Sequence, residues 1–328
     1  MNEFTFGVLT YNQENEIIST LNSIKFQVKE YGANIKCSII ITDDCSKDST
    51  VNVCQKWLHQ NMRLFSNIEL KTNDKNIGTV KNYNYILGKI KSPFFKIIAG
   101  DDLIGHNNIF EIAFSLKQHT LLCGLKIMFR GNALVIDKKA ICRQFYLANK
   151  NLTRKNNLKL FKLGFIISTP QTLYDLDLYN DSNAIELNST FKLFEDNPTW
   201  YSMLKNVDDI KVRYLHYPIV LYRLNENSVS NSKTKVNDVF QDELHRLYDI
   251  YIEEGNWLDL LYFSAKKKGG NKLFNLSKYV DTLFDLKCIL FSLSQYSKYK
   301  RYAEELENII EAEKNHLQYI LNQIGETI

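Results

Sequence analysis

The chain is 328 residues long, 45% hydrophobic and 24% charged, a globular balance with room for one large core or two modest ones, and its 4 prolines leave little scope for long disordered segments. A net charge of +4 suits anionic substrates or a lipid surface but is far too weak to point to nucleic acid. The 6 cysteines contain no Cys-x-x-Cys pair, the N-terminus is acidic and only briefly apolar, and no apolar run reaches the length of a membrane span; reduced thiols in a cytoplasmic protein are expected, and a zinc site, a disulfide framework and a signal peptide are not.

Residues 4–9 (FTFGVL) predict a buried strand that stops at Thr10, Tyr11 and Asn12. Residues 14–28 have helical spacing, with Ile17, Ile18, Leu21, Ile24 and Val28 on one face. Residues 38–42 (SIIIT) read as a second strand ending in Asp43 and Asp44, and 51–58 as a helix begun by Ser46 and Asp48. A short strand at 68–71, a helix over 76–87 that opens at Gly78 and a strand at 94–99 follow, the last running into Gly100, Asp101 and Asp102. This alternation is the pattern of a doubly wound, mainly parallel α/β sheet. Parallel strands point their carboxyl ends the same way, so the three polar strand ends share one edge, where open α/β sheets bind ligands. Adjacent carboxylates repel unless a proton or a cation relieves them, and Mg²⁺ or Mn²⁺ shared with phosphate oxygens does so. Helix capping is the plainer account of each acid pair taken singly. Four acids at one edge fit better around a nucleotide base or ribose and a metal-bound diphosphate.

The stretches TYNQENEIISTLNSI, IIITDDCSKDST, NDKNIGTVKNYN and IIAGDDLI, in that order, resemble the motifs of the family 2 glycosyltransferases, inverting enzymes of the GT-A fold and of the bacterial surface-glycan type. The resemblance runs to about residue 230. It implies that Thr10, Tyr11, Asn12 and Glu14, with Asp43 and Asp44, hold the base and ribose of a nucleotide-sugar donor, a carboxylate being suited to the imide hydrogen of uracil or thymine. It implies further donor contacts from Asn76, Gly78, Lys81 and Asn82, Gly78 by letting the backbone pass close and Lys81 as a point charge for phosphate. Asp101 and Asp102 are the implied ligands of Mn²⁺ or Mg²⁺, and Asp101 also a donor contact. The family's acid–any–acid signature would place an acid at 99, where this chain has Ala99, so weaker metal binding is expected. Cys45 stands where glycine is usual.

Further along, 106–119 predicts a helix, 121–136 short β-like runs with a turn at Arg130, Gly131 and Asn132, and 141–162 a helix flanked by a mobile loop on the acceptor side. Residues 165–174 (FIISTPQTLY) resemble the family's acceptor-facing stretch, with Thr169, Pro170 and Gln171 as candidates; a proline turn is the plainer account. In 191–204 (FKLFEDNPTWYSML), Glu195 and Asp196 precede a helix whose Trp200, Met203 and Leu204 face inward. The resemblance makes Asp196 the general base that takes the acceptor hydroxyl proton as that oxygen displaces the diphosphate, with Glu195 and Trp200 on the acceptor side. In 222–228 (YRLNENS) it implies Arg223 as a diphosphate ligand, and Asn225 replaces the usual His.

Residues 235–328 read as an α-helical extension to a GT-A domain over 1–234, itself a nucleotide-binding half over 1–104 and an acceptor half over 105–234. Helices are predicted around 239–251, 257–266, 279–293 and 299–324, with Gly269 and Gly270 stopping the second. The apolar stripe of the last helix packs on the domain, pairs two chains or touches a membrane, packing being the commonest fate. The basic clusters at 266–268 and 298–301 suit anionic lipid, although a solvated face is the plainer account. The sequence thus reads as an inverting glycosyltransferase using a nucleotide sugar, a UDP-sugar in preference, in the cytoplasm or at the inner face of the membrane. Its acceptor is a hydroxyl of a glycan, a lipid-linked or a protein-linked molecule. Two alternatives stay open. One is a non-catalytic GT-A-like partner subunit that keeps the nucleotide-sugar pocket, motivated by Ala99 and Asn225. The other is a nucleotidyltransferase, which would want a Gly-rich, basic loop that 10–19 lacks.

Overall fold

The expected alternation of strand and helix is present in the computed structural model, which describes residues 2–166, 169–225, 235–267 and 276–326. It begins with β1 (Asn2–Thr10), α1 (Ile17–Tyr31), β2 (Ile35–Asp43), α2 (Thr50–Asn61), β3 (Asn67–Thr72), α3 (Thr79–Lys89) and β4 (Phe94–Ala99). There follow β5 (Leu103–Ile104), α4 (Ile109–Phe114), β6 (Thr120–Cys123), β7 (Ile127–Arg130), β8 (Ala133–Val135), α5 (Lys138–Ala148) and α6 (Arg154–Lys162). The chain continues with β9 (Thr172–Asp175), α7 (Leu176–Asp181), α8 (Ala184–Asn188), α9 (Asp196–Asn206), β10 (Lys211–Tyr214) and β11 (Val220–Arg223).

Seven strands form one sheet in the order β10-β6-β9-β4-β1-β2-β3. β3, β2, β1 and β4 run parallel, β9 is antiparallel to both β4 and β6, and β10 is parallel to β6. A second sheet, β5-β11-β7-β8, lies beside the end of β4. Successive residues of a strand face opposite ways. Phe4, Phe6 and Val8 therefore pack with Ile17, Leu21 and Ile24 of α1 and Trp57 of α2 on one face. Ile40, Ile97 and Phe95 pack with Tyr83 and Ile86 of α3 and Trp200 and Met203 of α9 on the other.

Three expectations change. The helix read over 106–119 occupies only Ile109–Phe114, started by the Asn108 carboxamide, which accepts from Phe110 N and Glu111 N. Ser115 ends it, and His119, with φ at 55°, turns the chain into β6. The helix read over 141–162 is two, because Thr153 caps a new start at Arg154. The proline-turn reading of 165–174 missed β9, whose four residues are all buried where the sheet reverses direction.

The remaining helices are α10 (Lys235–Glu253), α11 (Trp257–Lys267), α12 (Leu276–Ser294) and α13 (Tyr296–Asn322). Leu247, Tyr251, Phe263, Phe284 and Cys288 join the core beneath α3 and α9, with Phe284 stacked on Phe165 at 4.1 Å. Tyr302, Leu306, Leu317 and Ile320 of α13 cover the second sheet at Leu103, Phe129 and Leu221. These helices share the core of the sheet domain. Gly269 and Gly270 lie outside the described residues.

Candidate active site at the carboxyl edge of the sheet

The strand ends align as the parallel register requires. Thr10 pairs with Asp43, Asp43 with Thr72, and Leu9 with Ala99. Past β1, Asn12 turns left-handed at φ 50° and its N–H donates to Ser46 Oγ at 2.8 Å, while its Oδ1 accepts from Lys47 N at 2.8 Å. Glu14 accepts from Ser49 N at 2.8 Å, and its own N–H donates to Asp48 at 3.1 Å. Asn12 and Glu14 thus staple the loop after β1 to the loop after β2, leaving Tyr11 exposed beside them. Asp43 is buried and accepts from the Ser46 N–H and hydroxyl.

Asp44 holds the next loop. Its carboxylate accepts from Ile77 N at 2.8 Å, Gly78 N at 2.9 Å and Asn73 Nδ2 at 3.2 Å. Gly78 has φ 92°, and a Cβ there would stand 2.7 Å from Lys192 Cγ and 2.9 Å from Lys192 O, so only glycine suits the position. Asn82 is buried and ties the same loop together, donating to Gly78 O and accepting from Asn73. Asn76 and Lys81 are exposed.

Asp101 and Asp102 part company. Asp102 is 2% exposed, and its Oδ1 accepts from Arg223 N at 2.8 Å. Burial, then the neighbouring Asp101, holds its carboxyl well above the usual range. Asp101 stays partly open at the edge, where Oδ2 accepts from Asn225 Nδ2 at 3.0 Å. Burial raises its carboxyl too, with Arg223 acting against it. Arg223 is anchored by Nε to Asp101 O at 2.6 Å and by Nη2 to Ser19 Oγ at 2.7 Å, with its guanidinium 4.5 Å from the Phe129 ring centroid. Beneath them Lys96, wholly buried, donates to Pro170 O at 2.8 Å and Thr172 O at 2.9 Å, and burial lowers its ammonium to about 7.

Among the described residues no three His, Cys, Asp or Glu side chains cluster closely enough to hold a metal ion. Of the two expected carboxylate ligands, Asp102 goes inward to the Arg223 N–H and Asp101 stays at the edge. The Asp101 carboxylate fits a hard divalent cation whose other ligands are phosphate oxygens and water.

The Gly78 loop is tied to the segment before α9, since Val80 N donates to Lys192 O at 3.1 Å. The next three N–H groups, of Lys192, Leu193 and Phe194, all donate to the Glu243 carboxylate of α10. Phe240 stacks on Phe194 at 4.6 Å. This clamped segment delivers Glu195 and Asp196 to the first turn of α9, where Asp196 accepts from Asn197 N at 2.7 Å. Burial, reinforced by Asp196, pushes the Glu195 carboxyl up to about 8. Burial and then Asp102, Asp101 and Asp196 push the Tyr222 phenol up to about 12, so acids from the end of β4 and the start of α9 act on one phenol.

Two acceptor-side expectations are corrected. Gln171 is fully buried, donating to Val220 O at 2.6 Å and accepting from Ile219 N at 3.1 Å, which spends its amide on bridging to β11. Trp200 is 1% exposed, stacked on Phe161 and bonded to the Tyr174 hydroxyl at 3.3 Å, a core residue. Thr169 starts the short 3-10 turn Thr169–Gln171. The sequence reading passed over Glu16 and Ser19, although they stand within the first motif, one turn apart at the start of α1. It also passed over Glu243 and Glu313, for which no local signal exists. Glu313 of α13 is fully buried and accepts from His106 N at 3.0 and 3.1 Å and from Asn107 Nδ2 at 3.2 Å, sealing the turn behind Asp101 and Asp102.

A parallel four-strand core with acids at its carboxyl edge, one reversed strand and a small second sheet define a glycosyltransferase domain of the GT-A type. Residues 5–181 match the family described as Glycosyl transferase family 2, and the chain belongs to that family. Staphylococcus aureus TarS 1-349 superposes with a TM-score of 0.53 at 16% identity, covering 97% of this chain and 92% of that one. A longer S. aureus TarS structure gives 0.50 at 16% identity, covering 96% of this chain and 55% of that one. In sequence, the poly(ribitol-phosphate) beta-N-acetylglucosaminyltransferase TarS of S. aureus strain Mu50 is 28% identical over 120 residues, 36% of this chain. The match spans 20% of that relative's length.

Proposed function

We propose that this chain moves a sugar from a nucleoside diphosphate donor, a UDP-sugar in preference, to a hydroxyl of a glycan, lipid-linked or protein-linked acceptor, with inversion. The observation that carries this reading is the alignment of the strand ends at one edge, where Thr10 pairs with Asp43, Asp43 and Asp44 fix the loops that follow, and Arg223 is anchored on Asp101 O at 2.6 Å. The stapled loops of Asn12, Glu14 and Asp43 form the base and ribose cradle, with Tyr11 available to cover it. Asp44 shapes the Gly78 loop against which the donor lies. Asp196, in the first turn of α9 with its carboxylate accepting from Asn197 N at 2.7 Å, is the general base of this reading. Asp196 accepts the acceptor hydroxyl proton as the oxygen bonds to the anomeric carbon; the bond from that carbon to the diphosphate breaks on the opposite face. Arg223, fixed beside Asp101, offsets negative charge at the departing end. A Mn²⁺ or Mg²⁺ ion, when held by Asp101 and the donor phosphates, supplies further neutralisation of the leaving diphosphate. The relative named for transfer to poly(ribitol phosphate) supports a polymeric surface glycan as one acceptor class. Six unpaired cysteines support a cytoplasmic setting.

Thermal unfolding with UDP, GDP, CMP or dTDP, each with Mn²⁺ and with a chelator, tests the reading. Stabilisation by UDP that the chelator reduces is the expected result. A shift indifferent to the chelator removes the metal, and no shift with any nucleotide removes the pocket.

A further inference from the structure

Helix α12 is apolar on two opposite sides. Phe284, Cys288 and Ser292 point into the core. On the far side Tyr279, Leu283, Leu286, Leu290 and Leu293 stand in solvent, Leu283 65% and Leu293 61% exposed. At 3.6 residues per turn these five fall within an arc of about 80° opposite the buried face. On the neighbouring α11, Trp257 is 68% exposed, with Leu258 and Leu261 also in solvent. Single exposed leucines are ordinary, but five exposed apolar side chains on one arc of α12 mark an interaction surface. Among the described residues no helix is long and apolar enough to cross a membrane.

The charge around this patch selects its occupant. Lys278 and Lys287 are exposed on the two flanks of the α12 arc, and Lys298, Lys300 and Arg301 follow in the first turns of α13. On α13, Glu304 pairs with Lys300 at 3.9 Å and is exposed, as is Glu305, while the acids of α11 and α12 are engaged away from the arc. Asp259 pairs with Lys162 at 3.0 Å, Asp285 with Arg143 at 2.6 Å, and Asp281 lies beside Lys266.

We propose that the outer face of α11 and α12 docks on an anionic lipid surface, the helices lying in the plane of the interface. The leucines enter the acyl boundary, Trp257, Tyr279 and Tyr296 sit at headgroup level, and the lysines meet lipid phosphate. A second copy of the chain would bring one basic fringe against another, so like-charge repulsion disfavours pairing through this face. The inference concerns where the protein sits and stands apart from the reaction proposed above.

The test is flotation of the full chain with vesicles containing about 30% phosphatidylglycerol and with vesicles of phosphatidylcholine alone. Tryptophan emission is read alongside. Trp57 and Trp200 are each 1% exposed, so any change on mixing reports Trp257. The expected result is flotation with the anionic vesicles, a blue shift, and weakening in high salt. Leu283→Glu with Leu290→Glu lowers the bound fraction at least about tenfold with unfolding temperature unchanged, since both side chains lie outside the core. Lys278→Glu with Lys287→Glu, which leaves the apolar face intact, weakens binding severalfold. The proposal is overturned if the parent floats with neither vesicle, or if both double variants bind as the parent does. A dimer that Leu283→Glu with Leu290→Glu converts to monomer, without vesicle binding, assigns the face to a second copy instead.

Discussion

Asp101 and Asp102 show how much one residue's direction matters. They are adjacent and chemically alike, yet one remains at the open edge and the other is sunk against a backbone N–H that lies 121 residues away. Strand-end acids are visible in sequence because the motif and its strand are local. Which acid turns inward is not visible, because the deciding partner is Arg223. The same applies to Gln171, whose place in a Pro-bearing turn gave no sign of a β11 backbone waiting to consume its amide. At this scale the decisive substitution is Asp196→Asn. It keeps the shape and removes the proton acceptor, so transfer should fall by about 10²–10⁴-fold while stabilisation by UDP is retained. Rates and thermal shifts on the same preparation check this; transfer at the parent rate would remove Asp196 from the role of base.

Among the elements, α10 has a task its amphipathic pattern did not announce. Its apolar residues, including Leu247 and Tyr251, were legible as a buried face, and they do pack on the core. Glu243, which the sequence reading passed over, gathers three successive N–H groups of the segment leading to Asp196. Glu243→Ala leaves those donors without their acceptor, and loss of a charge-assisted network of this kind costs about 1–3 kcal/mol. Turnover is expected to drop roughly tenfold with little change in the nucleotide-induced shift, because the base-bearing helix loosens while the cradle of Asn12, Glu14 and Asp43 does not. An equal loss of nucleotide binding would show instead that the clamp serves the whole edge. The strands of the first half were legible because each carries its own β-branched run. β9 was not: it has four residues, begins just after Pro170, and is a strand only because β4 and β6 flank it.

For the molecule as a whole, buried titrating groups set a pH dependence of stability. Burial raises Glu313 to about 8, offset in part by bonds from His106 and Asn107, and burial raises Glu195 likewise. Below the ordinary carboxylate range both states are protonated and nothing is lost. Between there and about pH 8 the folded state holds protons that the unfolded state has released, so stability falls as pH rises through this window. Lys96 acts in the opposite sense above about 7, where the folded state sheds its proton first. Unfolding midpoints in denaturant should therefore fall from pH 5 to pH 8. Glu313→Gln should flatten that fall by its share, on the order of a few kcal/mol. A variant with the parent's slope would show that Glu313 is ionised within the fold throughout.

The bond from Glu313 to the turn after the acid pair also has a meaning in time. The two partners are 207 residues apart in the chain. At a synthesis rate of about 5–20 residues per second, the turn at His106 waits about 10–40 s on the ribosome before its acceptor is made. During that interval its N–H groups have only water. The edge that carries the strand-end acids is thus laid down early and fastened late, and a nascent chain stalled short of α13 lacks the strap on the turn that follows them.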